Sequence, residues 1–429
     1  MFAVTNQTNN KIFVVIAVAF AMFVDAMSYG IVVPLLPIYA SQYLNHSNTL
    51  TSLFVSIYAI GLLLSVPFVN FLTQKIGNKS TLIFGGFLLF FSLILFPFGN
   101  SIGLLFLARF LQGASAAITW TAGLGLVALN VHPQKRSTAL GTVMVGVSVG
   151  HLLGAPFAGF LYEFGGLYLP FFGVSLFTII SLALFYLLKD RNEVIINLKK
   201  YNNLDFVKLI SKNNILFGLC AVVLLESFMI SMLEPTLALF VSRQFDASSM
   251  TIGLLFGVQV LTLGILSPFV GKLADKYGKL KMIVIGMFSC GVLFLSMAST
   301  QTLPSFFILM SLLGVSSAFF MSPVLSAFAD EIDKSEMKGL YHIAYGIFNL
   351  VYSLGMILGP TCGGALSEMW SETASFAVVG IVLLAAVPPV VYTILLKKKV
   401  SYTVQPSAID LAHPAEKSKS KVQDFSPIA

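Results

Sequence analysis

The chain has 429 residues, of which 57% are apolar and only 10% are charged. A water-soluble domain carries about 25% charged residues, so this composition excludes an ordinary soluble fold and requires lipid around the chain. The net charge of +7 does not indicate nucleic acid, because only Arg109 and Arg243 of the 25 Lys and Arg fall outside the termini and the even-numbered loops.

A bilayer core of about 30 Å is crossed by about 20 helical residues. Apolar runs of that length lie near 12–36, 50–72, 80–98, 103–129, 137–161 and 168–188. Six more lie near 214–241, 250–271, 280–298, 304–330, 338–367 and 373–396. Each is too long for a strand, and lipid forbids open sheet edges. The expected fold is therefore all-α, with twelve membrane-spanning helices.

The first run holds Asp25 near its centre and has no small-residue cleavage site, so it reads as a span and not as a cleaved signal peptide. Pro34 and Pro37 at its far end free backbone groups and permit a kink. Lys75, Lys79, Lys135 and Arg136 follow the second and fourth runs, and Lys272 to Lys281 follow the eighth. All lie on one side with Lys397 to Lys399, and the positive-inside rule makes that side cytoplasmic. Both termini are then cytoplasmic. Residues 189–213 form a basic cytoplasmic linker between 1–188 and 214–396, and the polar tail 397–429 is expected to be disordered.

The two halves are copies. Pro67 to Gly77 reads against Pro268 to Gly278 at an offset of 201 residues, and Pro34 stands against Pro235 at the same offset. Parallel repeats of this kind build many transporters, with the solute site between the halves near the midplane.

Four charges sit well inside apolar runs: Asp25, Arg109, Glu226 and Glu234. Each costs roughly 2.5–3.5 kcal/mol at a helix centre on insertion scales, so such groups face a cavity or pair with one another. A buried ion pair that locks helices is the structural alternative. Three acids against one base leave surplus negative charge, and a carboxyl group in low dielectric favours its protonated form, as a proton carrier requires. Glu234 lies eight residues after Glu226, about 12 Å along the helix and about 80° round it, so both are expected to border one cavity without touching. Pro235 permits a kink beside Glu234. Tyr29, Trp120, Tyr345 and Phe348 are candidate cavity walls, since aromatic faces beside carboxylates suit an organic cation, with ordinary packing as the alternative. His151 sits mid-helix, where a titrating role stands against a satisfied or snorkelling one. Cys220, Cys290 and Cys362 lack metal-ligand spacing and read as packing residues.

Several motifs resemble those of the major facilitator superfamily. Gly271-Lys-Leu-Ala-Asp275-Lys-Tyr-Gly278 is similar to its loop signature, while the first-half copy has Asn70 for the first glycine and Gln74 for the acid. Leu105-x-x-x-Arg109-x-x-Gln112-Gly113 resembles the fourth-helix signature of the drug:proton antiporters. Gly150-x-x-x-Gly154-Ala-Pro156-x-x-Gly159 resembles their fifth-helix signature with one alanine inserted, and Gly355-x-x-x-Gly359-Pro360-x-x-Gly363-Gly364 has the unmodified form in the eleventh helix.

Asp25 with Val32-Val-Pro34-Leu-Leu-Pro37, Ala122 to Gly125, Leu161 to Phe164 and Leu233-Glu234-Pro235-Thr236-Leu237 resemble the vesicular amine transporter branch. Asn349 and Tyr58 stand where that branch has an eleventh-helix aspartate and a second-helix lysine. The resemblance implies the major facilitator fold, two six-helix bundles and alternating access. It also implies gating by the glycine stretches and a latch at Asp275. Asp25, Glu234, Glu226, Arg109 and Asn349 become the candidates for proton coupling or solute binding. The expected activity is proton-coupled export of a small cationic or amphiphilic solute, with the proton as coupling ion and no cofactor or metal. The expected setting is a monomer in a bacterial inner membrane. An importer of a metabolite or siderophore-like compound is the alternative within transport, and a non-transporting sensor or scaffold is the alternative outside it. No enzymatic motif is present in the sequence.

Overall fold

The computed structural model of the chain describes residues 2–32, 48–99, 101–188, 210–247, 249–335 and 337–393. Pro34, Pro37, the 189–209 part of the linker and the tail lie outside these residues. The described residues are almost entirely helical. They form α1 (Phe2–Gly30), α2 (Asn48–Leu95), α3 (Ile102–Ile118), α4 (Leu124–Asn130), α5 (Arg136–Gly165) and α6 (Tyr168–Leu187). The second half gives α7 (Asn214–Phe245), α8 (Ser249–Tyr277), α9 (Lys279–Ala298), α10 (Leu303–Asp333), α11 (Tyr341–Met369) and α12 (Glu372–Val391).

Eleven segments are long and apolar enough to cross a membrane, and one of them, Ser56–Leu95, is 40 residues long. At about 1.5 Å per residue that is about 60 Å of helix, twice a bilayer core. The break is at Gly77, whose φ of 81° and ψ of 166° lie outside the helical region. Thus α2 crosses twice and the described residues make twelve crossings. Gly278, the repeat partner of Gly77, has φ 106° and separates α8 from α9 in the same way. A positive φ at both positions explains why glycine stands there in both copies. One fourth crossing is assembled from α3 and α4 with a π-helical turn, Thr119–Gly123, between them.

Helices pack into two six-helix bundles. In the first, α1 lies on α5 and α2 on α3; in the second, α7 lies on α11 and α9 on α10 and α12. The bundles meet along α5 with α8 and α2 with α11.

Small residues set the closest approaches. Gly150 presses on the Phe23 carbonyl, and Gly154 meets Gly30, so these glycines seat α5 on α1. Gly355 and Gly359 seat α11 on Ser227 and Ser231 of α7. The two glycine stretches therefore make their closest contacts within bundles, while Gly159 has open space around it. Between bundles, Gly271 of α8 presses on Ser137 of α5, and Gly141 of α5 on the Ser267 carbonyl. Pro156 and Pro360 lie inside α5 and α11, which continue through them.

The core is not divided evenly between the bundles. One apolar cluster runs through both at the end bearing the basic loops, joining Leu140 and Met144 to Leu325, Phe328, Ile343 and Phe348. Toward the opposite end each bundle has a cluster of its own, one around Phe54, Phe96 and Phe171 and another around Phe240, Phe294 and Phe376.

Candidate functional site

Asp25 is buried in α1 at 3% exposure. The π turn brings Trp120 to it, and the indole Nε1 donates to Asp25 Oδ2 at 3.1 Å. The other carboxylate oxygen, Oδ1, has no hydrogen-bond partner. A π turn holds one extra residue per turn and commonly marks a functional position. Here it sends adjacent side chains to different neighbours. Trp120 faces Asp25, and Thr121 Oγ1 accepts from Asn349 Nδ2 of α11 at 2.8 Å.

Arg109 of α3 is buried at 2% exposure. Its guanidinium lies over Tyr29, Phe54 and Tyr58 at 5.2, 5.3 and 5.6 Å from the ring centroids. Nη1 donates to Gln112 Oε1 at 2.7 Å, and Gln112 Nε2 donates to Ser28 Oγ at 3.0 Å. Ser28 donates in turn to the Asp25 carbonyl at 2.7 Å. The cation of α3 is thus tied to the turn of α1 that carries the acid. Tyr29 packs edge-on against Tyr58 at 5.0 Å and against His151 of α5 at 6.2 Å. Asp25, Tyr29, Tyr58, Arg109, Trp120 and His151 therefore form one neighbourhood in the first bundle.

Other expected positions fall elsewhere. Glu226 is buried at 2% exposure. Its helical face also carries Val222, Met229 and Leu233, all core residues. The backbone of Glu234 is part of α7, and its side chain lies outside the described residues. Tyr345 and Phe348 do not line an open cavity. Tyr345 is fully buried and donates to the Leu325 carbonyl at 3.1 Å, and Phe348 stacks on Tyr352 at 5.6 Å within the shared core. Asn349 bonds to Thr121 instead of standing free in a solute site.

At the basic end lies a second cluster, of which the sequence reading named Asp275 as a latch and missed Arg136, Asp330 and Asp333. Asp275 does not lie in a loop, because α8 continues to Tyr277. Its carboxylate accepts from the Ser137 and Thr138 backbone N–H groups at 3.2 and 3.0 Å and from Thr138 Oγ1 at 2.8 Å. These are orphan donors of the first turn of α5, where a carboxylate is favoured. Beside it Arg136, counted above as a topology-setting loop charge, is 1% exposed. Its Nη1 donates to Asp330 Oδ1 at 3.1 Å and Asp333 Oδ2 at 2.9 Å. Nη2 donates to the Ala128 carbonyl and to Tyr341 Oη, at 3.2 and 3.1 Å, and Tyr341 Oη donates to Asp333. Lys279 Nζ completes the balance with Asp330 at 2.6 Å. Two cations and two anions thus join α5 to the end of α10 across the bundle boundary. The acids Asp330, Glu331 and Asp333 among basic loops were the available signal.

The family model for the Major Facilitator Superfamily matches the chain twice, over residues 18–225 and 219–424. The chain belongs to the Major Facilitator Superfamily. It is a multi-pass membrane transporter of that superfamily and not an enzyme.

Among its relatives, an uncharacterised MFS-type transporter of Schizosaccharomyces pombe is 25% identical over 89% of this chain and 95% of its own length. The human chromaffin granule amine transporter is 26% identical over 77% of this chain, and the match spans 62% of that protein. The Drosophila melanogaster vesicular acetylcholine transporter is 26% identical over 90% of the chain and 72% of its own length. In three dimensions the chain superposes on the human organic anion transporter MFSD10 with a TM-score of 0.73. That match has 17% identity and covers 89% of this chain and 99% of the other, which bears on the fold alone.

Proposed function

We propose that this superfamily member is a proton-coupled antiporter that exports a small organic cation, with Asp25 as the residue that alternates between proton and solute. The observation that carries this reading is the Asp25 carboxylate itself. One oxygen is held by Trp120 and the other has no hydrogen-bond partner. The neighbourhood is aromatic, and a cation gains both the carboxylate and the faces of nearby rings there. A proton on Asp25 removes the charge and releases the cation. The amine and acetylcholine transporters among the relatives support the same solute class by similarity. Glu234, in a segment resembling the amine transporters, is assigned to solute or proton binding, and Glu226 to a carboxyl that stays protonated through most of the cycle. The basic end is assigned to the cytoplasm by the positive-inside rule. A cysteine placed in the 189–213 linker then labels from that side only.

The test is uptake of a panel of organic cations, anions and neutral solutes into proteoliposomes with an imposed pH gradient. Gradient-driven exchange of cations is expected, abolished by Asp25→Asn and retained in part by Glu226→Gln. Coupled cation transport by Asp25→Asn at the wild-type rate refutes the assignment.

A further inference from the structure

The corners at which α5 and α11 each meet the other bundle are repeat copies with different chemistry. Gly141, Gly150 and Gly154 of α5 match Gly346, Gly355 and Gly359 of α11 at one constant offset, and at that offset Ser137 matches His342. At the α5 corner the Ser137 and Thr138 N–H groups are capped by Asp275, with the ion pairs of Arg136 and Lys279 beside them. At the α11 corner the counterpart of Asp275 is Gln74 and that of Lys279 is Asn78. Both charges are gone, and a histidine stands in place of the serine.

His342 lies on the bundle boundary. The start of α11 is pressed against α4, since a Cβ on Gly125 would stand 3.1 Å from the His342 backbone nitrogen. Gly346 and Asn349 lie within about 40° of His342 around the helix. The first is met by Asn70 of α2, and the second bonds to Thr121. This face of α11 is therefore turned to the first bundle. His342 is only 4% exposed, and its Nε2 is buried with no hydrogen-bond partner. Asn70 Oδ1, at the next turn of the same seam, is buried without one too. A buried polar atom left unsatisfied costs about 1–3 kcal/mol, so the seam shuts here against a penalty.

A proton on the imidazole raises that penalty, because a buried cation requires a counter-charge. The surrounding elements supply none. The α2 helix brings Lys75 and Lys79 and contains no acid, and α4 carries no charge. Lys212 precedes α7, whose Glu226 lies about 18 Å along the helix. Arg136 of α5 bonds to the adjacent Tyr341 and adds another cation. At the end of α10 each carboxylate is engaged: Asp330 by Arg136 and Lys279, Asp333 by Arg136 and Tyr341, Glu331 by Lys334 and Asn213. Lys338 is exposed in the connection to α11, and Glu336 of that connection lies outside the described residues.

We propose that His342 is a proton-operated release for the shut basic end. Neutral, it is buried in the seam between α11 and α4. Protonated from the solution at that end, it is expelled and the bundles part there. Closure is firmest above the ordinary imidazole range near 6.5 and weakens as pH falls through it. An acidic solution at the basic end thus holds the protein open toward itself, whatever the solute.

The experiment places spin labels at Ser80→Cys and Lys281→Cys in the purified full-length protein, with Cys220, Cys290 and Cys362 replaced by alanine. These exposed positions follow Gly77 and Gly278, one on each bundle at the basic end. The distance between the labels separates open from shut protein. The ratio of open to shut is expected to rise about tenfold between pH 7.5 and 5.5. His342→Gln is expected to abolish the rise, His342→Arg to hold the open distance at both pH values, and Glu336→Gln to keep the wild-type response. The proposal is overturned by a flat response in the wild type, by a full rise in His342→Gln, by loss of the rise in Glu336→Gln, or by a folded His342→Arg that is shut at pH 7.5. Should His342→Arg fail to fold, His342→Gln decides alone.

Discussion

The two ends of the molecule are built differently. At the basic end, Leu140 and Met144 of the first bundle share one apolar cluster with Leu325, Phe328 and Ile343 of the second. Ion pairs, a carboxylate-capped helix start and the Ser322–Ser137 hydrogen bond at 2.8 Å all cross the boundary there. Toward the other end each bundle keeps a separate aromatic cluster. Rocking of one bundle against the other is the transport motion of this architecture. The structure therefore presents the arrangement in which the basic end is shut, by polar contacts laid over a shared apolar core. An apolar weld alone cannot be released selectively, whereas ion pairs and caps are switched by water and by charge.

The largest expected effect on this asymmetry comes from Arg136. Removing it by Arg136→Ala leaves Asp330 and Asp333 facing each other with Lys279 as the remaining cation of the cluster. Breaking a buried ion pair on one side costs about 3–5 kcal/mol, enough to disfavour the shut basic end. The readout is alkylation of a Ser326→Cys reporter, on a background in which Cys220, Cys290 and Cys362 are replaced by alanine. Ser326 is fully buried at that end, so labelling of the reporter is expected to rise by two orders of magnitude or more. Unchanged labelling breaks the comparison.

A smaller effect is expected at Asp275. Asp275→Ala leaves the Ser137 and Thr138 N–H groups without their acceptor, and loss of a side-chain cap costs about 1 kcal/mol, up to 2. The same reporter is expected to label about five- to thirtyfold faster. The repeat partner of Asp275 in the first half is Gln74, and the geometry across that boundary is inverted. Gly271 yields space to Ser137, whereas Asn70 fills the space left by Gly346. Gln74→Asp is therefore expected to move the reporter by less than twofold. A shift as large as that of Asp275→Ala refutes the asymmetry between the copies.

The twelve crossings and the repeat that pairs Gly77 with Gly278 were legible in run length and motif, whereas the positive φ at both glycines emerged only from the backbone. What was not legible was helix rotation. In lipid, a side chain facing the tails is as apolar as one facing the core, so the polar stripe that phases a helix in water is missing. Tyr345 and Phe348 were candidate cavity walls with ordinary packing as the alternative, and lie in the shared core; Glu226 was expected to border one cavity with Glu234 without touching it, and lies buried on a face of core residues. Arg136 was misread for a related reason. Its position beside Lys135 marks the membrane side correctly, but only packing shows that its charge is withdrawn from water. The Asp25 neighbourhood was partly legible, through Tyr29, Arg109 and Trp120, because intramembrane charge is rare enough to stand out. Thr121, Gln112 and Ser28 carry no such mark.

The smallest expected effect tests whether the midplane belongs to the shut end or to the solute site. The π turn places Trp120 on Asp25 and Thr121 on Asn349, so one distortion serves both. Thr121→Val keeps the side-chain shape and removes the acceptor, leaving the Asn349 amide short of a partner. A neutral hydrogen bond contributes about 0.5–1.5 kcal/mol, which predicts two- to tenfold faster labelling at Ser326→Cys. Asn349→Leu removes the other partner. If the two residues act through their mutual bond, the double variant labels no faster than the single ones combined would require, and the shortfall measures the coupling. Binding of a cationic probe supplies the second readout. If the turn transmits between Asp25 and α11, Thr121→Val alters probe affinity as well as labelling, although the Thr121 hydroxyl bonds to Asn349 and not to Asp25. A change in labelling with unchanged affinity places the Thr121–Asn349 bond with the basic-end contacts alone. Unchanged labelling in both variants removes it from the closure altogether and leaves the boundary to the cluster around Arg136, the cap at Asp275, the Ser322–Ser137 bond and the shared apolar core.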